Sequence, residues 1–323
     1  LEIRHLPNAA INRSSYDTCV EAVPNGLIYG LSWWLDVVSP GWEALVLDDY
    51  RAVMPLPVKR RYGIRFVEQP LFCPFLGIFS RESLTGATVD VFSELVRSQF
   101  RLVTRFCLFP VGGGGTRTVA NGPVSGFNTA RRHTHLLDLS HPYETLRAGY
   151  SRDRLQNLAR AERFGWEVRE STDIRPLMSW FRENHAARIA GGIAPEAYGV
   201  LEKLVDETQR RGLSTLWLAE KDGQPEAGAW FVPWNGRVVY LFNAATPLGR
   251  QGNARTFLLD RFFRQHAGQP LVFDFESPEV ASIARFYESF GAKPQPYIQL
   301  NYNRLPGWVN AVWNVKKWMA GVK

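Results

Sequence analysis

The sequence predicts a mixed α/β (α+β) fold made of two tandem units, each a largely antiparallel twisted sheet flanked by helices. Three observations lead there. The chain has 323 residues, roughly twice the size of a common domain. Its C-terminal half alternates between helix-period and strand-period hydrophobicity in an order that the N-terminal half repeats more faintly. Asp-Gly and Asn-Gly pairs, which adopt positive backbone angles at low cost, separate the C-terminal strands.

In an N-terminal unit of residues 1–135, a helix near Leu31 to Val38 precedes a hairpin turning at Asp48-Asp49. Short strands are expected near Ile64 to Val67 and Phe75 to Phe79, then a helix from Ala87 to Phe100 and an apolar stretch from Phe106 to Val111. The stretch from Asn121 to His141, with His133, His135 and His141, reads as a polar linker. A C-terminal unit of residues 136–305 opens on a helix with Ser151 as its cap and Gly165 as its stop,. Two more helices follow, near Ile174 to Arg188 and from Pro195 to Gly212,. Three strands then turn at Asp222-Gly223 and Asn235-Gly236, and a loop leads into a helix from Asn253 to Gln265. A strand around Leu271 to Phe275, a helix from Pro278 to Phe290 and a strand from Tyr297 to Tyr302 complete the unit. Residues 306–323 place Trp308, Val312, Val315 and Met319 at helical spacing, an amphipathic helix that packs on the domain or rests on a membrane surface,.

Composition narrows the class. With 45% hydrophobic residues and no run of like charge the chain is globular, and its net charge of +7 favours anionic partners or is simply a solvated surface,. Three widely spaced cysteines, Cys19, Cys73 and Cys107, form neither a disulfide framework nor a metal-ligand motif, so a reducing cytoplasm and no metal are expected,. The first residues lack the pattern of a secretion signal, no window is apolar enough to span a bilayer, and the opening Leu1 leaves room for sequence upstream,. Stable membrane insertion is not expected. Gly112 to Gly115 lacks the Gly-Lys-(Ser/Thr) ending of a phosphate loop, and His185 reads as a surface residue,.

The chemistry concentrates around Gly249-Arg250-Gln251-Gly252-Asn253-Ala254. A helix starts within this loop, and its first N–H groups lack partners inside the helix, which suits a pyrophosphate. Gly249 and Gly252 would let a phosphate approach the backbone, while Arg250 and Arg255 would add charge-assisted bonds,. The plainer alternative is a turn that only caps a core helix.

The order of elements around this loop resembles that of GNAT acyltransferases. In that family a meander leads to a pyrophosphate loop of the form (Gln/Arg)-x-x-Gly-x-(Gly/Ala), then a helix, a strand and a helix carrying Ala-x-x-(Phe/Leu)-Tyr-x-x-x-Gly-Phe. The stretch from Ile283 to Ala292 is similar to the last motif, and Gln251-Gly252-Asn253-Ala254 is a compressed version of the first. Phe273-Asp274-Phe275-Glu276 and the basic helix from Tyr150 to Ala161 resemble the FemABX-like branch, whose members have two GNAT units in tandem.

The resemblance implies acyl transfer from acyl-CoA or acetyl-CoA to an amine acceptor, a small molecule or part of the cell envelope. It also implies two alternatives, an aminoacyl-tRNA-dependent transferase acting on a peptidoglycan precursor and a non-catalytic binding protein on a degenerate GNAT fold. The donor would lie between two splayed strands, with Phe242, Asn243 and Ala244 along its arm, and Arg250, Gln251, Gly252, Asn253, Ala254 and Arg255 around its phosphates. Tyr287 would protonate the leaving thiolate, or would be packing between Phe286 and Phe290,. Asp274 or Glu276 would take the proton of the amine, or Glu276 would cap the next helix,.

Overall fold

A computed structural model describes residues 2–23, 25–82, 84–109, 124–184, 194–276 and 280–310. The chain divides into two compact units, one of residues 1–132 together with the segment from Pro296, the other of residues 133–295. The expectations for Gly112 to Gly115, for His185 and for a C-terminal helix beyond residue 310 lie outside the described residues.

In the first unit, Ile3–Leu6 (β1) precedes two helices, Arg13–Glu21 (α1) and Ser32–Val38 (α2). Asn12 starts α1 by accepting from the Ser15 amide, which satisfies one of the free N–H groups of its first turn. Glu43–Leu47 (β2) and Ala52–Leu56 (β3) make the hairpin expected at Asp48-Asp49. Every residue of both strands is buried, as apolar runs require; the exception in kind is Glu43, which is paired with His5 and Arg65,. Val58–Arg61 (β4) and Ile64–Glu68 (β5) form a second hairpin. The stretch from Phe75 to Phe79 supplies only Phe79–Ser80 (β6) and a single bridge from Leu76 to Leu108. Pro74 lacks a ladder donor and Gly77 weakens extended pairing, which shortens the expected strand. Gly86–Gln99 (α3) and Leu102–Leu108 (β7) follow. The strands β1, β2, β3 and β6 form an antiparallel sheet in that order.

The second unit carries the proposed chemistry. Where a polar linker was expected, Asn128–Asp138 (β8) is a strand. Tyr143–Ala148 (α4) leads to Arg152–Phe164 (α5), whose Ser151 cap accepts from the Arg154 amide and whose Gly165 stop has φ 79°. Glu167–Ser171 (β9) is followed by Arg175–Asn184 (α6) and Pro195–Arg210 (α7). The meander consists of Thr215–Lys221 (β10), Gln224–Trp234 (β11) and Arg237–Ala245 (β12). Both of its turns hold two consecutive residues at positive φ, Asp222 with Gly223 and Asn235 with Gly236, which matches the right-handed twist of the flanking strands. Pro247–Gln251 (α8), read from sequence as loop, precedes Ala254–His266 (α9), Val272–Asp274 (β13) and Ala281–Glu288 (α10). Lys293–Asn303 (β14) begins in the second unit and continues into the first, to which its residues from Ile298 onward and their antiparallel partner β7 both belong.

The sheet of the second unit runs β8-β13-β12-β11-β10-β9, with β12 and β13 parallel and the other pairs antiparallel. Helix α9 packs on β10 and β11 over a core that includes Ala227, Ala229, Phe231 and Phe262. Helix α6 lies on the opposite face, where Gly228 admits Leu177. A Cβ there would sit 2.4 Å from the leucine side chain. Among the described residues no helix is long and apolar enough to cross a membrane.

Candidate active site at a fork in the sheet

Strands β12 and β13 pair in parallel at three positions, Arg237 with Val272, Val238 with Phe273 and Val239 with Asp274. From Tyr240 onward β12 runs on to Ala245 without a β13 partner among the described residues. This is the splay expected from sequence. At the fork, β12 bulges: Tyr240 stands opposite Phe231 but Phe242 opposite Trp230, so Leu241 is the extra residue. A one-residue insertion reverses the alternation of side chains beyond it. Val238 and Tyr240 face the core under α9 before the bulge, and Asn243 and Ala245 face the same side after it.

The loop departs from the reading of its glycines as clearance for a phosphate. A Cβ on Gly249 would lie 2.1 Å from the carbonyl oxygen of Glu226, and one on Gly252 would lie 2.4 Å from the Trp166 ring. Both glycines are therefore fixed by packing against the protein. The Trp166 indole also donates to the Gly252 carbonyl, at 2.7 Å. Arg250 donates to the Ala245 carbonyl at the end of β12 and to Asn184, while Gln251 is exposed and Ala254 is buried. Asn253 takes a left-handed conformation, φ 55° and ψ 31°, and no side chain caps α9. The first N–H groups of this helix thus lack the usual hydroxyl or carboxylate acceptor.

Beside that helix start lies a cluster of positive charge. Arg255, in the first turn of α9, donates to the Asn243 side chain at 3.2 Å, and its guanidinium carbon lies 4.3 Å from the centre of the Phe286 ring. Arg154, from α5, lies 4.2 Å from the same ring and 4.6 Å from that of Phe290. It is 6% exposed and donates to two neutral hydroxyls, Ser289 at 2.9 Å and Thr256 at 2.5 Å. Neither arginine pairs with a carboxylate among the described residues. Burial, and then the charge of Arg255, pulls Arg154 down to about 10. Two cations at one aromatic ring, one of them buried and neither with a carboxylate partner among the described residues, make an environment that an anion would stabilise,.

Tyr287 is buried and stacks on Phe275, with ring centres 4.5 Å apart. Burial pushes its hydroxyl up to about 12, against the pull of Arg255, and the Glu276 carboxylate adds to the rise. Tyr240 meets Tyr287 edge-on, 6.4 Å between ring centres. The fork thus brings together Asn243, Arg255, Glu276 and Tyr287 of the residues expected from sequence, while Phe242 packs on Phe181 of α6 and Ala244 is buried.

Asp274 requires a correction. Its side chain is fully buried and accepts from Thr134 at 2.6 Å, from the Glu276 amide at 3.0 Å and from Arg237 at 2.7 Å. A carboxylate buried this completely and held by three partners is withdrawn from the surface that a substrate would reach, and its work is to tie β13 to β8 and β12. Glu276, half-buried at φ 46°, remains the carboxylate of the pair that neighbours Tyr287. The assignment of Glu276-Ser277-Pro278 as a helix cap falls partly outside the described residues.

From sequence, Tyr240 carries no role, Arg154 is only one residue of a basic helix and His135 only part of a polar linker. Arg154 falls at the spacing of Leu158 and Ala161, the buried side of α5, where an arginine needs a reason. His135 alternates with Leu137 and Leu139 on the buried face of β8, and one of its ring nitrogens meets Glu288 at 3.2 Å. Among the described residues no group of three or more His, Cys, Asp or Glu side chains could hold a metal ion.

Residues 147–278 match the family model described as an acetyltransferase (GNAT) domain. Among solved structures, the chain is similar to FemX, with a TM-score of 0.60 at 14% identity over 92% of this chain and 97% of that one. It is similar to a conserved protein of unknown function from Bacteroides thetaiotaomicron, with a TM-score of 0.57 at 12% identity over 90% and 98% of the two chains. It is also similar to the "C-terminal Domain (DUF2156) of Putative Lysylphosphatidylglycerol Synthetase" from Agrobacterium fabrum, with a TM-score of 0.56 at 13% identity over 98% and 99%. Identities this low establish the fold alone. No curated protein matches the sequence.

Proposed function

We propose that this chain, which belongs to the GNAT superfamily and has the fold of its FemABX-like branch, transfers an acyl group from acyl-CoA to an amine. The observation that carries the reading is the placement of Arg154 and Arg255, without carboxylate partners among the described residues, at the uncapped start of α9 beside the fork. A pyrophosphate held there would direct the rest of the donor between β12 and β13. The thioester would then approach Tyr287.

In the reaction, the amine nitrogen bonds to the acyl carbon, the carbon–sulfur bond breaks, and the amine gives up a proton. In this reading Glu276, whose carboxylate acts on the Tyr287 hydroxyl, receives it, directly or through water,. Tyr287, held near 12, keeps its proton at neutral pH. Complete transfer from it to the thiolate of an ordinary thiol, near 8.5, would be uphill by roughly 5 kcal/mol. Its hydroxyl therefore acts chiefly by hydrogen bonding to the sulfur as negative charge develops there. Thiol release from acetyl-CoA with a panel of amines, with and without Tyr287→Phe, tests the reading: a large fall in turnover is expected, and unchanged turnover would remove Tyr287 from the mechanism.

A second reading takes aminoacyl-tRNA as donor. Arg152, Gln156, Arg160 and Arg163 are exposed on α5 at i, i+4, i+8 and i+11, a basic stripe suited to a phosphate backbone,. Gel-shift titration with charged tRNA separates the two, since a bound tRNA would weaken steeply with salt. Binding of neither donor would leave the non-catalytic alternative.

A further inference from the structure

Tyr240 is an odd residue for its place. It is the first residue of β12 beyond the parallel pairing with β13 and the last before the bulge at Leu241. Only 2% of it is exposed, and its hydroxyl, fully out of solvent, has no hydrogen-bond partner among the described residues. The ring is well held, stacked on Phe231 and edge-on to Phe275 and Tyr287. A phenylalanine would keep all of these contacts. The oxygen is the part the fold does not use, and an unpaired buried hydroxyl is a cost to folding.

The surroundings of that oxygen indicate what it meets. Arg255 and Tyr287 are the charged and titratable groups that act on it, and both belong to the proposed donor site. The bulge places Tyr240 and Asn243 on one side of β12, and Asn243 is the residue that holds Arg255. Tyr240 therefore shares the side of β12 that holds Arg255, the arginine expected to meet phosphate, and its ring meets edge-on that of Tyr287, the tyrosine expected to meet sulfur. Burial raises its pKa well above the ordinary tyrosine value, so it donates a hydrogen bond without losing its proton.

We propose that the Tyr240 hydroxyl donates a hydrogen bond to the acyl carbonyl oxygen of the bound donor, and so positions the carbonyl and stabilises the negative charge that forms on it during attack by the amine. The proposal rests on reading the fork as the donor site. A neutral donor aimed at a developing oxyanion in a dry site contributes more to the transition state than to the bound ground state. It does not depend on whether the acyl carbon is a thioester or an aminoacyl ester, because both present the same oxygen.

Tyr240→Phe provides the test, with two readouts on the purified full chain. The first is thermal unfolding without donor. Because the hydroxyl is unpaired, the variant is expected to melt at the same temperature as the wild type or higher; a fall of several degrees would mean that the hydroxyl has a structural partner and would overturn the proposal. The second is steady-state kinetics of acetyl-CoA with amines, where the turnover rate is expected to fall by roughly 100- to 1,000-fold, with a smaller change in KM. If wild type does not use acetyl-CoA, that donor reading fails by itself, and the same pair is compared with aminoacylated tRNA, where the same fall is expected. Equal turnover by wild type and variant on the donor that wild type uses would overturn the proposal, as would the failure of wild type to use either donor.

Discussion

Arg255 reaches from the first turn of α9 to the side-chain oxygen of Asn243 on β12, 3.2 Å away. This bond spans the gap between the helix start and the strand just beyond the bulge, and it faces Arg255 toward Phe286, where Arg154 already lies.

From this follows a prediction with opposite signs in two measurements. Arg255→Gln removes one of two neighbouring like charges, and Arg255 is one of the groups that pulls Arg154 down. Thermal stability should be unchanged or slightly higher. Affinity for acetyl-CoA, measured by calorimetry, should fall by about 1.5–3 kcal/mol, the range for a hydrogen bond to a charged group. A destabilised variant with full affinity would assign Arg255 to structure instead.

Asp274 and Glu276 should separate cleanly. Asp274→Ala leaves Arg237 without its buried partner and should cost about 3–5 kcal/mol in urea unfolding, less to the extent that Arg237 reaches solvent,. Activity per folded molecule should survive. Glu276→Gln should leave stability within about 0.5 kcal/mol and lower turnover, with the loss relieved by amines of lower pKa that need no base. Reversal of the two phenotypes would return Asp274 to the chemistry.

Gly249→Ala should prevent folding or cost several kcal/mol, because the obstruction is a backbone oxygen that cannot rotate away,. Gly252→Ala meets an aromatic ring and should cost about 1–3 kcal/mol,. Circular dichroism melts check both. A soluble, fully stable Gly249→Ala protein would contradict the packing described for α8.

Tyr287 links the site to alkaline stability. Its pKa is raised by burial to about 12 from an ordinary 10. The contribution is fully present below pH 10, where folded and unfolded chains both hold the proton, and is lost as pH rises to 12, where only the folded chain still holds it. Urea unfolding between pH 9 and 12 should show a steep decline, to which Tyr150 and Tyr240, raised in the same way, also contribute. Tyr287→Phe should remove about 2–3 kcal/mol of that decline. An identical slope in the variant would mean that Tyr287 is solvated.

Much of the fold is written locally. The turns at Asp222-Gly223 and Asn235-Gly236, the Ser151 cap and the Gly165 stop all follow from residues that favour one backbone geometry,. Strands whose partners determine them were harder to read. In β9, Glu167 to Glu170 are all exposed, so the strand lacks an apolar face and is an edge defined by pairing with β10. In β8, the polar start Asn-Thr-Ala-Arg-Arg-His hides the alternation of His135, Leu137 and Leu139 that begins later.

The site divides along the same line. Tyr287 and Arg255 were legible because a short motif and a helix start carry them. Asp274 read as a base because its chemistry suits one, while Thr134 and Arg237, which commit its oxygens, are distant in sequence. The bulge at Leu241, which brings Tyr240 and Asn243 to one face, leaves no trace in the alternation of an all-apolar stretch.

The most direct test of the account is calorimetric titration of acetyl-CoA into wild type and into Arg154→Ala/Arg255→Gln, at low and at moderate salt. Saturable one-site binding by the wild type, weakened by salt and lost in the double variant although it remains folded, is the predicted result. Binding of equal strength in both proteins, or no binding of acetyl-CoA by a folded wild type, would contradict the assignment of the fork as an acyl-CoA site.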